Sequence, residues 1–229
     1  MGSDHLSRLA APKTWEIKRK GIKYITKPVP GPHKMEAAMP LGVLLKEVLK
    51  YAATTKEVKK ILNSNDIKID GITRKDFRFS TGLFDAVELI ATNECFRFTL
   101  NSKGKLHLVK IKKEESASKP CKITGKTMVN GKLQLNLYDG KNVFAENKSY
   151  KVGDTVMLTL PDQKIAKHLK LDKKATIFLT GGKHIGEVGN VEDIISNKII
   201  YKDSNNNLIE TLKEYAFVVG EEKPLITLS

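Results

Sequence analysis

The chain of 229 residues lacks the features that mark several classes of protein. Only two cysteines, Cys95 and Cys121, are present; they are too few and too isolated for a disulfide framework and fit a reducing compartment. No apolar run approaches the roughly 18–20 residues needed to span a bilayer. No apolar stretch of the signal-peptide type lies near residue 1. We therefore expect a cytoplasmic protein that does not bind a membrane.

Motifs for catalysis and metal binding are also absent. The five histidines are scattered, and the chain has no His-Glu-x-x-His segment, no Cys-x-x-Cys pair and no Gly-x-Ser-x-Gly elbow. Gly182-Lys183 does not match a phosphate-binding loop, because Ile177 and His184 replace the required Gly and Ser or Thr. We therefore predict no enzyme activity, no catalytic residue, no metal site, no cofactor and no small-molecule substrate.

What the chain does have is positive charge. It carries 40 Lys and Arg residues against 26 Asp and Glu residues, a formal charge of +14. The excess lies in residues 1–40, with eight basic and three acidic side chains, and in residues 96–164, with fourteen and six. Such an excess is typical of a protein that binds polyanions. Only five of the basic residues are Arg; Lys acts as a point charge on phosphate, so we predict backbone and shape recognition of a nucleic acid.

The sequence predicts an α+β, multi-domain protein in four segments. Residues 1–40 contain five prolines and a basic cluster at 18–20, so we expect an extended basic N-terminal arm without a core of its own. Residues 41–95 are predicted to form two helices followed by short strands. Residues 96–170 form a central β domain, and residues 171–229 form a C-terminal β domain.

Two helices are predicted between residues 40 and 63. In the first, apolar residues recur at helical spacing from Leu41 to Ala52. The second begins with a capping box, in which Thr54 is the N-cap and Glu57 reaches back to it. Residues 67–71 alternate like a strand that runs into a turn, and residues 87–90 form another short strand.

From residue 96 onward apolar residues alternate with a period of two, which indicates strands. Asn130-Gly131 is the typical sequence of a two-residue hairpin turn. This pattern predicts a small β-barrel, or alternatively a sandwich, in the central domain. Further strands are predicted at residues 175–180, 199–201 and 215–219, separated by glycines and an asparagine-rich turn.

The helix–strand unit resembles the alpha-L RNA-binding motif, which occurs in ribosomal proteins and RNA-modifying enzymes. The resembling residues are 54–62, with three lysines, and 67–71. The resemblance implies that the second helix and the following strand lie against structured RNA. The physical basis is sound, because a helix N-terminus offers free N–H groups to phosphate.

Residues 181–193 resemble the KOW motif, a short segment of a small Src-homology-like barrel. The matching residues are Gly182, Ile185, Gly186, Val188, Gly189 and Val191. Glycines at such positions permit positive φ angles and close backbone approach. The resemblance implies a KOW-containing β-barrel in the C-terminal domain.

Residues 5–19 resemble the signature of the S-four-e family of small-subunit ribosomal proteins, found in archaea and eukaryotes. The family pattern begins with His, any residue, Lys and Arg; this chain has Ser7 where Lys is usual, which removes one phosphate contact. Residues 31–34 also resemble a family segment. The order of signature arm, alpha-L motif, central β domain and KOW motif is the family's order along essentially the whole chain. The chain stops at Ser229 without the long basic extension of eukaryotic members, which implies an archaeal type.

The resemblance implies a non-catalytic constituent of the small ribosomal subunit. Its partners would be small-subunit rRNA and neighbouring ribosomal proteins. Two alternatives are an RNA-modifying enzyme of the pseudouridine synthase type, anchored by an alpha-L motif, and a transcription elongation factor with a KOW module. The predicted RNA-binding residues are His5, Arg8, Lys13, Trp15, Lys18, Arg19, Lys20, His33, Lys34, Thr54, Thr55, Lys56, Lys59, Lys60, Lys68, Arg74, Lys75, Lys183 and His184.

Overall fold

A computed structural model describes residues 5–145 and 149–228 of the chain. Over these residues the protein is mostly β, with a few short helices and several antiparallel sheets. It divides into two compact units: the first contains the residues up to Thr99 together with Lys105–Ser116, and the second contains Leu100–Gly104 and the residues from Ala117 onward.

The strands and helices follow one another along both units. The strands of the described residues are β1 (Leu6–Ser7), β2 (Tyr24–Ile25), β3 (Ala38–Pro40), β4 (Ile67–Ile69), β5 (Ile72–Thr73), β6 (Ser80–Gly82), β7 (Ala86–Leu89), β8 (Glu94–Leu100), β9 (Leu106–Ile111), β10 (Ser118–Val129), β11 (Lys132–Leu137), β12 (Asn142–Ala145), β13 (Thr155–Thr159), β14 (Lys164–Leu169), β15 (Thr176–Leu179), β16 (Val188–Ile195), β17 (Lys198–Lys202), β18 (Leu208–Leu212) and β19 (Ala216–Gly220). The helices are α1 (Leu41–Val43), α2 (Thr55–Asn63) and α3 (Lys113–Ser116), with 3-10 turns at Arg8–Ala10 and Met35–Ala37 and a π-helical segment at Leu44–Val48.

The first unit is built on a five-stranded sheet in the order β5-β4-β7-β8-β9. Two small two-stranded sheets, β1-β2 and β3-β6, accompany it. The expected strands at 67–71 and 87–90 are confirmed: Ile67 pairs with Leu89 and Ile69 with Val87 in antiparallel register. These four side chains are buried, so the alternation in the sequence marks the core face of this sheet.

The first predicted helix is much shorter than expected. Only Leu41–Val43 is α-helical; the chain then widens into the π-helical segment, in which the N–H of Leu49 bonds the carbonyl of Leu44. Lys50 follows with a φ of 58°, the left-handed conformation in which helices commonly end. The predicted apolar residues do face the core, since Leu41, Leu44 and Leu45 are buried. They lie on a short irregular helical segment, however, and not on a helix that extends to Ala52. Because the described residues contain so little helix, the fold is mostly β and not the predicted α+β.

The N-terminal segment also differs from the extended arm that its prolines predict. Trp15 is only 1% exposed, and its indole Nε1–H donates to the carbonyl of Ala38 at 2.6 Å. Strand β1 pairs with β2, and the N–H of Leu106 bonds the carbonyl of Thr14. The one tryptophan of the segment enters the core of the first unit and holds the segment there.

The central part of the second unit is a five-stranded antiparallel sheet in the order β12-β11-β10-β13-β14. The long strand β10 pairs with β13 over its first half and with β11 over its second half, and its register shifts between Ile123 and Gly125. The predicted hairpin between β10 and β11 is confirmed: Asn130 and Gly131 have φ angles of 49° and 75°, as its turn requires. The core of this sheet is formed by Cys121, Ile123, Leu133, Leu135, Leu137, Ala145, Val156 and Leu158.

The C-terminal part of the second unit is another five-stranded antiparallel sheet, in the order β18-β17-β16-β15-β19. The predicted strands at 175–180, 199–201 and 215–219 are all present. Gly186, in the loop before β16, has a φ of +83°, and a Cβ there would lie 2.6 Å from the carbonyl oxygen of Asn101. Glycine is required at this position both by the backbone conformation and by this close approach.

One lysine connects the two sheets of the second unit. Lys122, on β10, extends its ammonium group to the turn before β19. There its Nζ donates to the carbonyl oxygens of Lys213, Glu214 and Ala216 at 3.2, 2.7 and 2.6 Å. A side chain of the central sheet therefore satisfies backbone acceptors of the C-terminal sheet.

Candidate nucleic-acid interface

Helix α2 begins with the capping box that the sequence predicts. The hydroxyl of Thr54 accepts a hydrogen bond from the N–H of Glu57 at 3.3 Å and donates to the Glu57 carboxylate at 2.9 Å. The same carboxylate accepts the N–H groups of Ala53 and Thr54 at 2.8 and 3.4 Å. The hydrogen bond from the Ala53 N–H has the largest effect on the Glu57 carboxylate and lowers its pKa. The contacts with Thr54 lower this pKa further. The cap thus fixes the start of the helix. The side chain of Thr54, a predicted RNA-binding residue, has this structural role instead.

The lysines of α2 lie on its solvent face. Val58 and Leu62 are buried, whereas Lys56, Lys59 and Lys60 are exposed. Buried and exposed positions separate in this way because the helix repeats every 3.6 residues. Three positive charges therefore share one helix surface, an arrangement that attracts phosphate groups.

Two aromatic rings support cations beside this helix. The ammonium of Lys59 lies 5.1 Å from the centroid of the Phe77 ring, and the guanidinium of Arg74 lies 4.4 Å from that of Phe79. Both distances fall within the range of cation–π attraction. Lys75, the residue after Arg74, is exposed. The sequence analysis missed Phe77 and Phe79; the signal was the alternation of basic and aromatic residues in Arg74–Phe79.

Lys68 lies on β4, the strand that follows α2. It is half-buried and stands opposite Glu88 of β7 and Thr73 of β5 in the sheet. The pair of Lys59 and Phe77 connects α2 to the segment that carries Arg74 and Lys75. Lys68 is partly covered by its strand neighbours.

Three of the predicted RNA-binding residues are buried and have structural partners instead. Trp15 bonds Ala38, as described above. Arg8 is 7% exposed; it forms an ion pair with Glu47 at 2.8 Å and donates to the carbonyl of Lys18 at 3.0 Å. The Nε2 of His33 lies 2.9 Å from the Asp85 carboxylate, with both side chains 1% exposed. We correct the prediction for these three residues, because a buried side chain does not reach RNA.

Arg19 has a similar structural role. Its guanidinium donates to the carbonyl oxygens of Arg8, Ala11 and Pro12 at 3.2, 2.6 and 2.6 Å. Arginine suits this role because its planar group offers several donors in a fixed geometry. The remaining predicted residues of the segment are exposed: His5, Lys13, Lys18, Lys20 and Lys34. These five predicted residues therefore remain available to a nucleic acid.

The predicted residues of the C-terminal sheet lie in the loop between β15 and β16. Lys183 is exposed, and His184 is half-buried with its Nδ1 3.0 Å from the Glu187 carboxylate. They belong to the second unit, whereas the other predicted residues belong to the first. The structure thus divides the predicted RNA contacts between the two units.

Within residues 5–145 and 149–228, no three His, Cys, Asp or Glu side chains are grouped so as to hold a metal ion. Among the same residues, no helix is long and apolar enough to cross a membrane. What the structure does present is an exposed set of lysines on a capped helix, one of which lies over the Phe77 ring. Such a surface is typical of the class of proteins that bind polyanions.

Comparison with known proteins identifies the family within that class. The model of ribosomal family S4e matches residues 92–165, and the RS4NT domain model matches residues 1–36. Small ribosomal subunit protein eS4 of Methanocella arvoryzae is 40% identical over 99% of this chain and 98% of the relative. The eS4 protein of Methanosphaera stadtmanae is 41% identical over 100% and 97%. This chain belongs to ribosomal family S4e, in its archaeal form, and it is not an enzyme.

A solved structure shows the same fold. The crystal structure of 30S ribosomal protein S4e from Thermoplasma acidophilum aligns with a TM-score of 0.71 and 28% sequence identity, covering 81% of this chain and 96% of that chain. The family expected from residues 5–19 and 31–34 is confirmed. Neither alternative, the RNA-modifying enzyme or the elongation factor, is favoured.

Proposed function

We propose that this protein is a structural constituent of the small ribosomal subunit, where it binds small-subunit rRNA through phosphate and shape contacts. In this role it supports subunit assembly and translation in the cytoplasm. The relatives named above are small ribosomal subunit proteins, and the formal charge of +14 suits a polyanionic partner. Neighbouring ribosomal proteins are the second class of partner.

The observation that carries the proposal is the lysine face of α2. Lys56, Lys59 and Lys60 are exposed on one side of a capped helix. The pairing of Lys59 with Phe77 holds one of these charges in place. A charge held in position loses less side-chain entropy when it binds phosphate. We therefore regard α2 and β4 as an alpha-L motif that lies against structured rRNA.

We further propose four functional segments: an N-terminal segment at 1–40, the alpha-L domain at 41–95, a central β-barrel domain at 96–170 and a KOW-containing barrel at 171–229. The long strand β10, which pairs with β13 over its first half and with β11 over its second half, joins the five strands of the central domain, and Gly186 supports the KOW assignment. The RNA contacts proposed here come from the exposed or half-buried residues His5, Lys13, Lys18, Lys20, Lys34, Thr55, Lys56, Lys59, Lys60, Lys68, Arg74, Lys75, Lys183 and His184.

The experiment is a salt titration of binding to archaeal small-subunit rRNA. Each neutralised phosphate releases counterions, so the logarithm of the affinity should fall linearly with the logarithm of salt, with a slope of about −0.7 to −0.9 per contact. Mass spectrometry of salt-washed ribosomal particles provides a second readout. An affinity that does not change with salt, or a chain found with RNA polymerase instead of ribosomal particles, contradicts the proposal.

A further inference from the structure

The central sheet of the second unit has a solvent face that is not used by its core. Two rows of side chains cross strands β10, β11 and β12 on this face. Thr127, Gln134 and Phe144 stand opposite one another in the first row, and Gly125, Asn136 and Asn142 in the second. Residues directly opposite in antiparallel strands share a face, so these two rows form one surface, which we name the amide face.

Phe144 is the large apolar side chain of the amide face. It is 58% exposed, while its chain neighbours Val143 and Ala145 pack on the core cluster. Alternation along the strand explains this difference, because successive side chains point to opposite faces. Phe144 therefore presents its ring to solvent on β12, the edge strand of the sheet.

Polar side chains surround this ring in a fixed order. The Nε2 of Gln134 donates to the Oδ1 of Asn136 at 3.0 Å, and the Nδ2 of Asn136 donates to the Oγ1 of Thr127 at 3.3 Å. Each amide carries two N–H donors and an acceptor oxygen, so these bonds leave hydrogen-bonding capacity toward solvent. Gly125 lies against Asn136, since a Cβ at this position would be 3.4 Å from the Asn136 Nδ2.

The charges within the paired strands that form the amide face are positive. The paired stretches of the three strands, 123–129, 132–137 and 142–145, contain Lys126 and Lys132 and no acidic residue. Lys132 is exposed on the amide face, whereas Lys126 stands opposite the buried Leu135, on the other face, and donates to the carbonyl of Tyr150 at 2.7 Å. A positive surface favours an anionic partner, such as the rRNA proposed above.

We infer that the amide face binds an unpaired nucleotide of rRNA, with the base stacked on Phe144. An exposed ring beside donors and acceptors suits a splayed-out base, which offers a π-face and a hydrogen-bonding edge. Gln134 and Asn142 flank the ring and contact the base edge, while Lys132 lies near the phosphate. This inference rests on the proposed function, because it takes rRNA as the ligand, but it adds a site that depends on stacking rather than on charge.

The test compares two exposed apolar residues of the same sheet. Phe144→Ala removes the ring; Met128→Ala is the matched control, because Met128 is 55% exposed and pairs with Leu133 on the other face. Phe144→Tyr keeps an aromatic ring. With an archaeal small-subunit rRNA transcript as the probe, we expect about tenfold weaker binding for Phe144→Ala, given the usual effect of losing one base–aromatic stack. The slope of affinity against salt should not change. Phe144→Tyr and Met128→Ala should bind like the parent protein.

A direct readout is ultraviolet crosslinking followed by mass spectrometry, which should find a nucleotide attached to Phe144. If the parent protein binds rRNA with the expected salt dependence but Phe144→Ala binds equally well, this inference is overturned and the proposed function stands. If the parent protein does not bind rRNA, the proposed function itself has failed. If Phe144→Ala keeps its RNA affinity but no longer enters ribosomal particles, the face binds a protein and the nucleotide assignment is wrong.

Discussion

Lys59 of α2 and Phe77 of the loop after β5 are joined across 18 positions of sequence, with the ammonium 5.1 Å from the ring centroid. An exposed cation–π pair contributes about 0.5–1 kcal/mol. That is too little to hold the unit together, but it is enough to favour one conformation of a long side chain. The pair therefore contributes mainly to the position of the Lys59 charge and only a little to the stability of the fold.

Replacing Lys59 by Ala should weaken rRNA binding and leave the melting temperature nearly unchanged. Alanine has the higher helix propensity, which offsets the lost cation–π contact. Loss of one phosphate contact should make the salt slope shallower by about one unit. Lys170→Ala is the control, an exposed lysine among residues 165–229, where basic and acidic side chains are equal in number. A Lys59→Ala protein that melts early yet binds RNA normally would make Lys59 a packing residue and remove α2 from the interface.

Replacing Thr54 by Ala should destabilise the first unit by about 0.5–2 kcal/mol, as expected for loss of an N-cap. Thr55→Ala is the matched control, since Thr55 is also exposed but its neighbour Thr54 makes the cap. Urea unfolding followed by circular dichroism measures both free energies. Equal losses from the two variants would show that the capping hydroxyl contributes nothing of its own.

The contribution of the Glu57 carboxylate to stability should disappear in acid. The pKa of Glu57 is lowered in the folded protein, first by the N–H of Ala53 and then by the contacts of Thr54. The stabilisation is therefore complete above the ordinary glutamate pKa of about 4.3 and is lost as the pH falls through the lower folded value. The parent protein should be more stable than Glu57→Gln at neutral pH, and the difference should vanish in acid. Glu222→Gln corrects for general charge effects, and a difference that persists unchanged in acid would refute the carboxylate's role.

Trp15 should show the fluorescence of a buried indole in the free protein. It is 1% exposed and donates to the Ala38 carbonyl, so its emission should be blue-shifted and resistant to acrylamide. Trp15→Phe should cost about 1–3 kcal/mol, because it leaves a buried carbonyl without its donor. The measurement is the unfolding free energy of the variant. Emission at the wavelength of a water-exposed indole would mean that the N-terminal segment is detached in solution.

Local features of this fold follow from short stretches of sequence. The capping box depends on Thr54 and Glu57, three positions apart, and the β10–β11 hairpin depends on Asn130-Gly131. Both could be predicted, because all their determinants lie within a few residues. The lysine face of α2 follows in the same way from helical periodicity.

Features that depend on distant partners could not be predicted. Trp15 is buried because Ala38, 23 positions away, offers a carbonyl inside the core. The same limit applies to the site: Arg8 looks like a phosphate ligand in the sequence but pairs with Glu47, 39 positions away. Proline content and charge indicate whether a segment tends to be extended when it is isolated. Neither indicates which distant residues pack against it.

The three hydrogen bonds of Lys122 have a consequence for how the second unit comes apart. Separating the two sheets would leave the Lys122 ammonium group and three carbonyl oxygens without their hydrogen-bond partners at the same time. Breaking these three hydrogen bonds is unfavourable until water molecules replace them. The opening of one sheet alone therefore costs free energy. The unit should consequently unfold in one cooperative transition. In Lys122→Met, hydrogen exchange should reveal the C-terminal sheet opening ahead of the central one.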